Sequence, residues 1–291
     1  MAEMSPKPEF WASVQRSQGG SFPRNDASWQ LVEESYARWN PRQDTGAIPR
    51  RLHQIWLGSP LPRLYARWAQ TWRRFHPDWE YRLWTEKDID AFGLQNRDSY
   101  EKSPNYGVKS DIARYEILER LGGVYADTDF ECLGSFDPLA GSTEFFAGLM
   151  YGTSVPINNG LIGSRPGHPV LQAMMGHLTK PFSGHDGMEI LAYSGPTRFS
   201  QECLNYLAAT SGPAVILPTT YFYAFPNHQL DHKTLRSVLA WAQPESLAIH
   251  YWEVSWKQQS WSSRIYWSLR RRWPRLTNLI YRLLKGRNPT S

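Results

Sequence analysis

The apolar positions in the first half of this chain alternate between strand and helix spacings. Residues 48–58, IPRRLHQIWLG, predict a strand that ends at a glycine. In residues 61–77 the large apolar side chains recur every three or four positions, which predicts an amphipathic helix that ends at Pro77. Residues 79–85, WEYRLWT, alternate with a period of two and predict a second strand.

A second helix is predicted in residues 109–123, KSDIARYEILERLGG, with Ser110 as its N-cap and the two glycines as its end. Residues 124–130, VYADTDF, predict the next strand. Further strands are expected in EFFAGLMY, NNGLIGS, AVILP and SLAIHYW, and a further helix in GHPVLQAMMGHL. This order of elements predicts an α/β fold with a mainly parallel sheet, in which ligands bind beyond the carboxyl ends of the strands.

Composition adds limits to this picture. The 291 residues are 41% hydrophobic, which is enough for a sizeable core. The two cysteines, Cys132 and Cys203, are too few for a disulfide framework or a zinc site, so we expect a reducing, cytoplasmic setting. The first residues lack a secretory signal pattern, and no stretch has the roughly 18–20 apolar residues that span a bilayer.

The net charge of +5 comes from the C-terminal end, where nine basic and no acidic residues follow Glu253. The chain is therefore divided into an N-terminal helical extension (1–47), a main domain (48–256) and a basic helical tail (257–291). Within the tail, residues 262–287 predict a basic amphipathic helix. Such a helix either lies on an anionic membrane surface, at the inner face of the cell membrane, or packs on the main domain. No nucleic-acid-binding fold accompanies the charge, so no nucleic acid partner is expected.

Two carboxylates, Asp127 and Asp129, stand at the carboxyl end of the predicted strand 124–130. In an extended chain residues i and i+2 point to the same side, so both carboxylates would face one spot and repel. A hard divalent cation, Mg²⁺ or Mn²⁺, removes the conflict and commonly shares its ligands with a diphosphate. The alternative is a pair of solvated turn residues.

Four stretches carry a resemblance to a known family. These are IPRRLHQIWLG, SDIARYEILERLGGVYADTD, INNGLIGSRPGHP and IHYWEVSW, which together span roughly residues 48–256. They resemble the DXD-type sugar transferases of glycosyltransferase family 32, a group with fungal α-mannosyltransferases and bacterial capsule enzymes that is related to the clostridial glucosylating toxins. The resemblance implies a GT-A fold, which is a Rossmann-like domain for a nucleotide sugar, and transfer with retention of anomeric configuration.

The same resemblance implies roles for individual residues. The catalytic set is Asp111, Arg114, Asp127 and Asp129. Asp111 is expected to bind hydroxyls of the donor sugar, and Arg114 the sugar or its phosphate, from the first turn of their helix; an exposed salt bridge is the alternative. Asp129 is the expected direct metal ligand, Asp127 contacts the ribose or the metal shell, and His250 is either a second metal ligand or structural.

Substrate contacts are expected from a further set: Gln54, Trp56, Tyr125, Asn158, Asn159, Ser255 and Trp256. Trp56 either stacks on the nucleobase or fills the core, and the same alternatives hold for Tyr125. One of the two asparagines binds the donor sugar or the acceptor. Ser255 and Trp256 are expected to close over the diphosphate. His53 is expected to be a packed strand histidine, and SGPTRF (194–199) resembles an element on the acceptor side.

The predicted function is metal-dependent, retaining transfer of a hexose from UDP-hexose or GDP-mannose to a surface polysaccharide or glycolipid. Two alternatives share the fold: a protein-modifying transferase of toxin or effector type, and a non-catalytic domain that binds a nucleotide sugar. The intact carboxylate and arginine set argues against the second. A two-metal phosphohydrolase would need further His and Asp clusters, which the sequence lacks.

Overall fold

The computed structural model describes residues 7–18, 24–44, 46–103, 105–152, 155–184, 187–227 and 234–253. The strands are β1 (Arg51–Ile55), β2 (Glu80–Trp84), β3 (Gly123–Ala126), β4 (Phe130–Cys132), β5 (Phe145–Leu149), β6 (Ile157–Ser164), β7 (Ala214–Leu217) and β8 (Ala248–His250). The helices are α1 (Phe10–Gln18), α2 (Ala27–Arg38), α3 (Arg63–Phe75), α4 (Glu86–Phe92), α5 (Arg97–Lys102), α6 (Tyr106–Leu121), α7 (Asp137–Ser142), α8 (Pro169–His177), α9 (Gly187–Tyr193), α10 (Pro196–Ala209) and α11 (Leu235–Leu239).

Six of these strands form a mixed sheet in the order β2-β1-β3-β6-β5-β7. The pairs β1–β2, β1–β3 and β5–β7 are parallel, whereas β3–β6 and β5–β6 are antiparallel. Strands β4 and β8 form a separate antiparallel pair. The predicted α/β class is confirmed, although the long central strand β6 runs against its neighbours.

The core lies along β5 and β6, whose residues are all buried. Gly163 of β6 pairs with Phe146 of β5, and a Cβ at Gly163 would come within 2.0 Å of the Phe146 ring. The missing side chain therefore leaves the space into which an aromatic ring packs. Helices α6, α8 and α10 contact one another or this part of the sheet and cover it from solvent.

Helix α6 begins earlier than its sequence predicts. Its N-cap is Asn105, whose side chain accepts hydrogen bonds from the N–H groups of Gly107 and Val108, so the prediction of Ser110 as N-cap is wrong. An asparagine at this position satisfies the same free N–H groups as serine does. Because the helix starts at Tyr106, Asp111 lies in its second turn rather than its first.

The strand predicted over residues 124–130 is two strands joined by a turn. β3 ends at Ala126, and β4 begins at Phe130, whose N–H donates to the carbonyl of Asp127 over 3.2 Å. Asp127 and Asp129 thus occupy a turn, and the expectation that an extended backbone aligns them is wrong. The turn redirects the chain from the large sheet into the small one.

The helices of residues 1–47 pack on the edge strand β7 and its surroundings. The N–H of Ile216 in β7 donates to the hydroxyl of Ser35 in α2 over 3.2 Å, so α2 satisfies a polar group on the sheet edge. The indole of Trp39 donates to Ser142 over 2.8 Å. The domain boundaries at residues 47 and 256 stay predictions. The tail, 257–291, lies outside the described residues.

None of the helices in the described part of the chain is long and apolar enough to cross a bilayer. Cys132 and Cys203 are buried and free, as the absence of a disulfide framework predicts.

His53 in β1 is a packed strand histidine, as predicted. Trp84 donates its indole N–H to Nδ1 over 3.2 Å, and Nε2 lies 2.9 Å from the carbonyl of Gly122. This pattern requires the neutral ring with its proton on Nε2. Burial lowers the pKa of His53 to about 4, partly offset by the bond to Gly122.

We expect this buried ring to make the fold sensitive to acid. The unfolded chain takes up a proton near the usual histidine pKa of about 6.5, whereas folded His53 stays neutral to about 4. The contribution of neutral His53 to the free energy of unfolding is therefore complete above about pH 6.5, and it is lost as the pH falls towards 4. Between about pH 7 and pH 5 the loss is about 2 kcal/mol.

The measurement is the free energy of unfolding in urea at those two pH values, for the native chain and for His53→Gln. The variant is expected to be less stable at both values, but its loss between them should be smaller by about 2 kcal/mol. Equal losses in the two proteins would show that His53 is not the titrating group.

Candidate active site

The candidate site lies where the parallel strands β1 and β3 end at one edge of the sheet. Asp127 follows β3 directly, and its N–H donates to the carbonyl of Gly160 in β6 over 2.8 Å. From β1, the side-chain amide of Gln54 donates to the carbonyl of Asp127 over 3.2 Å. The turn is thus fixed at the carboxyl end of the parallel strands, the usual place for ligands in open α/β sheets.

Three side chains converge on this turn and could hold a metal ion. Asp127, Asp129 and His250 each present a ligand atom, and these atoms lie within 4.8 Å of one another. The pairing of β4 with β8 sets Phe130 opposite His250, which brings the imidazole to Asp129. Nε2 of His250 lies 3.0 Å from Oδ1 of Asp129. The two carboxylates suit Mn²⁺ or Mg²⁺, and the imidazole favours Mn²⁺ of the two, so the residues fit the expected ion.

His250 is held by its aromatic neighbours. Its ring stacks on Phe130 with centroids 4.3 Å apart and meets the ring of Trp252 at 4.2 Å. Nδ1 is buried and has no hydrogen-bond partner within the described part of the chain. The stacking fixes the ring orientation and leaves Nε2 as the nitrogen that faces the carboxylates.

The backbone after β8 turns back towards Asp129. Trp252 has a φ of +54°, a left-handed conformation that is rare for a side chain of this size. Its indole donates to the carbonyl of Phe225 over 2.8 Å, and the N–H of Glu253 then donates to Oδ2 of Asp129 over 2.7 Å. The strained residue thus directs a backbone donor at the carboxylate.

Arg114 forms an ion pair with the acidic turn. Its guanidinium lies 3.1 Å from Oδ1 of Asp127 and 3.2 Å from Oδ1 of Asp111, and it donates to the carbonyl of Asn159 over 2.7 Å. The guanidinium carbon lies 4.5 Å from the centre of the Tyr125 ring. Arg114 is 5% exposed, so the predicted alternative of an exposed salt bridge is wrong.

Asp111 lies behind Arg114 and is bonded on both oxygens. Oδ1 accepts from the amide of Asn159 over 2.9 Å, and Oδ2 accepts from the hydroxyl of Ser194 over 2.7 Å. Burial raises the pKa of Asp111 to about 6, against the attraction of Arg114. Burial also raises the pKa of Asp127, again opposed by Arg114. Burial thus outweighs the attraction of Arg114 at both carboxyls, and the pKa of each lies above its usual value.

The residues predicted to contact the nucleobase have different surroundings: Tyr125 and Gln54 bond to Asp127, whereas Trp56 packs against another aromatic ring. Tyr125 is buried and donates its hydroxyl to Oδ1 of Asp127 over 2.7 Å, so it supports the carboxylate. Gln54 is buried and also accepts from the hydroxyl of Tyr81 over 2.8 Å. Trp56 is half-buried against Tyr65, with ring centroids 4.8 Å apart. Their contacts with a substrate stay predictions.

The two predicted asparagines do different things. Asn159 belongs to the network of Asp111 and Arg114. Asn158 points elsewhere: its Oδ1 accepts from the N–H of Gly160 over 2.7 Å and from the hydroxyl of Tyr223 over 3.0 Å. A Cβ at Gly160 would lie 2.7 Å from Oδ2 of Asp127, so only glycine leaves room for this carboxylate.

Sequence reasoning missed Tyr115, Ser194 and Tyr223. The hydroxyl of Tyr115 donates to the carbonyl of Ser194 over 2.7 Å and accepts from Asn159 over 2.8 Å. Ser194 opens the SGPTRF element, which gave a weak signal, but a lone Tyr or Ser gives none. The predicted Ser255 and Trp256 lie outside the described residues.

Comparison with known proteins gives this geometry a context. Residues 62–146, which include the acidic turn, Asp111 and Arg114, match the family model described as "Glycosyltransferase sugar-binding region containing DXD motif". Inositol phosphoceramide mannosyltransferase 1 of Schizosaccharomyces pombe is 30% identical over 198 residues, which cover 64% of this chain and 61% of that protein. Initiation-specific alpha-1,6-mannosyltransferase of Candida albicans is 24% identical over 229 residues, covering 62% and 60%.

The chain thus spans about three fifths of the length of each of these relatives. Among solved structures, the PaToxG glycosyltransferase resembles the fold with a TM-score of 0.49 and 15% identity, over 62% of this chain and 76% of that one. The sequence matches identify the chain as a relative of the DXD-motif glycosyltransferases, which confirms its resemblance to family 32.

Proposed function

We propose that this protein is a metal-dependent, retaining glycosyltransferase that moves a hexose from a nucleotide sugar to a glycan or glycolipid. The observation that carries the proposal is the convergence of Asp127, Asp129 and His250 beside the buried Arg114. The matched family region and the mannosyltransferase relatives support it. The proposed retention of anomeric configuration rests on the family resemblance and not on the geometry of the site.

The charges of the site favour a divalent cation. Among the described residues, Arg114 pairs with Asp111 and Asp127, and Asp129 adds a third carboxylate beside Asp127. A cation held by Asp127, Asp129 and His250 would balance the excess negative charge and, when bound, would stabilise the charge on the leaving diphosphate. The metal is Mn²⁺ or Mg²⁺ in this proposal.

The chain's own residues then have separate tasks. Arg114 neutralises Asp127 from the protein side and adds positive potential where the diphosphate would bind, a role that needs no rearrangement when charge develops. Asp111, fixed by Asn159 and Ser194, orients Arg114. In this structure both oxygens of Asp111 are engaged, so binding of sugar hydroxyls by Asp111 requires exchange of one of those bonds.

Mannose is the sugar that we propose for the donor, because both relatives described above are named mannosyltransferases. GDP-mannose is then the donor to test first, with UDP-hexoses as the comparison. One relative is named for transfer to inositol phosphoceramide, which makes a glycolipid the first acceptor class to test. Such an acceptor would require the enzyme to work at a membrane surface.

The first test measures nucleotide release from a panel of GDP- and UDP-sugars with Mn²⁺. We expect slow hydrolysis of one donor, and loss of that activity on chelation. Asp129→Asn should lower the rate by roughly a hundredfold or more, because it removes one charged ligand. NMR of the transferred sugar with an added acceptor then reports its anomeric configuration.

The matched control is Asp90→Asn, which neutralises an exposed aspartate of α4 away from the turn and should leave the rate unchanged. Donor hydrolysis that persists in Asp129→Asn or in the presence of chelator would overturn the assigned site. Binding of donor without turnover would support the non-catalytic alternative.

The second test uses the space at Gly160. In Gly160→Ala the new methyl group would lie 2.7 Å from Oδ2 of Asp127 and 2.9 Å from Oδ1 of Asn158, so the carboxylate must move. We expect the affinity for Mn²⁺, measured by titration calorimetry, to fall roughly tenfold or more.

Gly176→Ala is its control. This glycine lies in α8, and a Cβ there would meet nothing within 4 Å, so Mn²⁺ affinity should not change. An unchanged affinity in a folded Gly160→Ala protein would show that Asp127 does not need its present position to bind the ion.

A further inference from the structure

Helix α3 presents a row of arginines on its outer face. Arg63, Arg67 and Arg74 are exposed and, at about 100° per residue, fall within roughly 40° around the helix axis. Arg73 is also exposed and lies over the ring of Tyr81, with its guanidinium carbon 4.2 Å from the centroid. The opposite face of the helix is apolar and buried. It consists of Tyr65, Trp68, Ala69 and Trp72.

Three of these arginines lack a salt-bridge partner in the part of the chain that the structure describes. Arg63, Arg67 and Arg74 form no ion pair with any residue that the structure describes. Residues 45–77 contain no aspartate or glutamate. Elsewhere in the described chain arginines on helices are commonly paired, as Arg97 is with Glu101 at 2.6 Å. The row on α3 therefore keeps an unbalanced positive charge.

Apolar side chains are exposed on a helix that shares the same core cluster. Val238 of α11 is buried together with Tyr65 and Trp68 of α3. On the same short helix Leu235 is 41% exposed and Leu239 is 37% exposed. The segment 234–244 carries a single charge, that of Arg236. Cationic and aliphatic side chains thus occur together on the two helices that cover this cluster.

We propose that the outer face of α3, with the exposed leucines of α11, docks on an anionic phospholipid membrane. Arginines attract the lipid headgroups, and leucines insert among the acyl chains near the interface. A nucleic acid would use the arginines but would leave the leucines in water. The exposed leucines therefore favour the membrane.

Hydrogen bonds connect helix α3, which carries the docking face, to the strand beside the candidate active site. The indole of Trp72 donates to the carbonyl of Phe130 over 3.1 Å, and the hydroxyl of Thr71 accepts from the N–H of Cys132 over 2.9 Å. Helix α3 thus supports β4, the strand that follows Asp129. A membrane against α3 would hold the acidic turn at a constant distance from the lipid surface. The inference rests on charge and exposure and does not need the proposed reaction.

The test is sedimentation of the full-length protein with vesicles of phosphatidylcholine and phosphatidylserine. The triple variant Arg63→Gln/Arg67→Gln/Arg74→Gln removes three charges from the face. Its partition coefficient should fall about a hundredfold relative to the native chain. The control variant is Arg42→Gln/Lys87→Gln/Arg97→Gln, which removes the same charge from exposed positions elsewhere. Its partition coefficient should fall only a few-fold. The basic tail is present in every protein, so its contribution cancels.

A second pair of measurements separates the partners. Leu235→Ser/Leu239→Ser should weaken the part of vesicle binding that persists at high salt, and it should leave binding to double-stranded DNA unchanged. Equal loss in the two triple variants would overturn the proposal, as would an arginine effect confined to DNA. Thermal unfolding and donor hydrolysis in solution, measured on each variant, show that the fold and the reaction are intact independently of membrane binding.

Discussion

The whole site depends on the balance between three buried or half-buried carboxylates and one guanidinium. Asp111, Asp127 and Asp129 converge near Arg114, and each carboxylate is costly to ionise away from water. Arg114 offsets part of this cost, because its guanidinium lies 3.1 Å from Oδ1 of Asp127 and 3.2 Å from Oδ1 of Asp111. The remaining negative charge is what a divalent cation would balance in the function that we propose. The hydrogen bonds around Arg114 hold these charged side chains in position.

Two sheets are needed to assemble this arrangement. Asp127 lies at the end of β3 in the large sheet. His250 lies in the small sheet, where the pairing of β4 with β8 positions it. Asp129 stands in the turn between them and receives a backbone N–H from Glu253 after the left-handed Trp252. A strained residue of this kind costs about 1–3 kcal/mol and persists where neighbouring contacts hold it. Here the contacts are the edge-to-face packing of Trp252 on the His250 ring and the hydrogen bond from its indole to the carbonyl of Phe225.

Helix α3 joins this site to the outside of the molecule. Its buried aromatic face supports the backbone of β4, and its arginines face solvent. One helix thus supports β4 with one face and, as we propose, meets a membrane with the other, because a period of 3.6 residues separates the two faces. The strong amphipathic pattern of residues 61–77 predicted the helix. The sequence did not point to the role that we propose for its polar side, because arginine rows are common on solvated helices.

The sequence by itself determined the α/β class and the main strands with helices α3, α6 and α8, and it singled out Asp111, Arg114, Asp127 and Asp129, which the structure brings together. These follow from local spacing and from a motif whose members lie within twenty residues of one another. Only the tertiary structure decided that Asn105 caps α6, that the acidic pair occupies a turn, and that Ser194 and Asn159 fix Asp111. It also brought His250 to Asp129 across 121 positions of chain. Contacts of that kind depend on strand pairing and side-chain packing, which leave no periodic trace in the sequence.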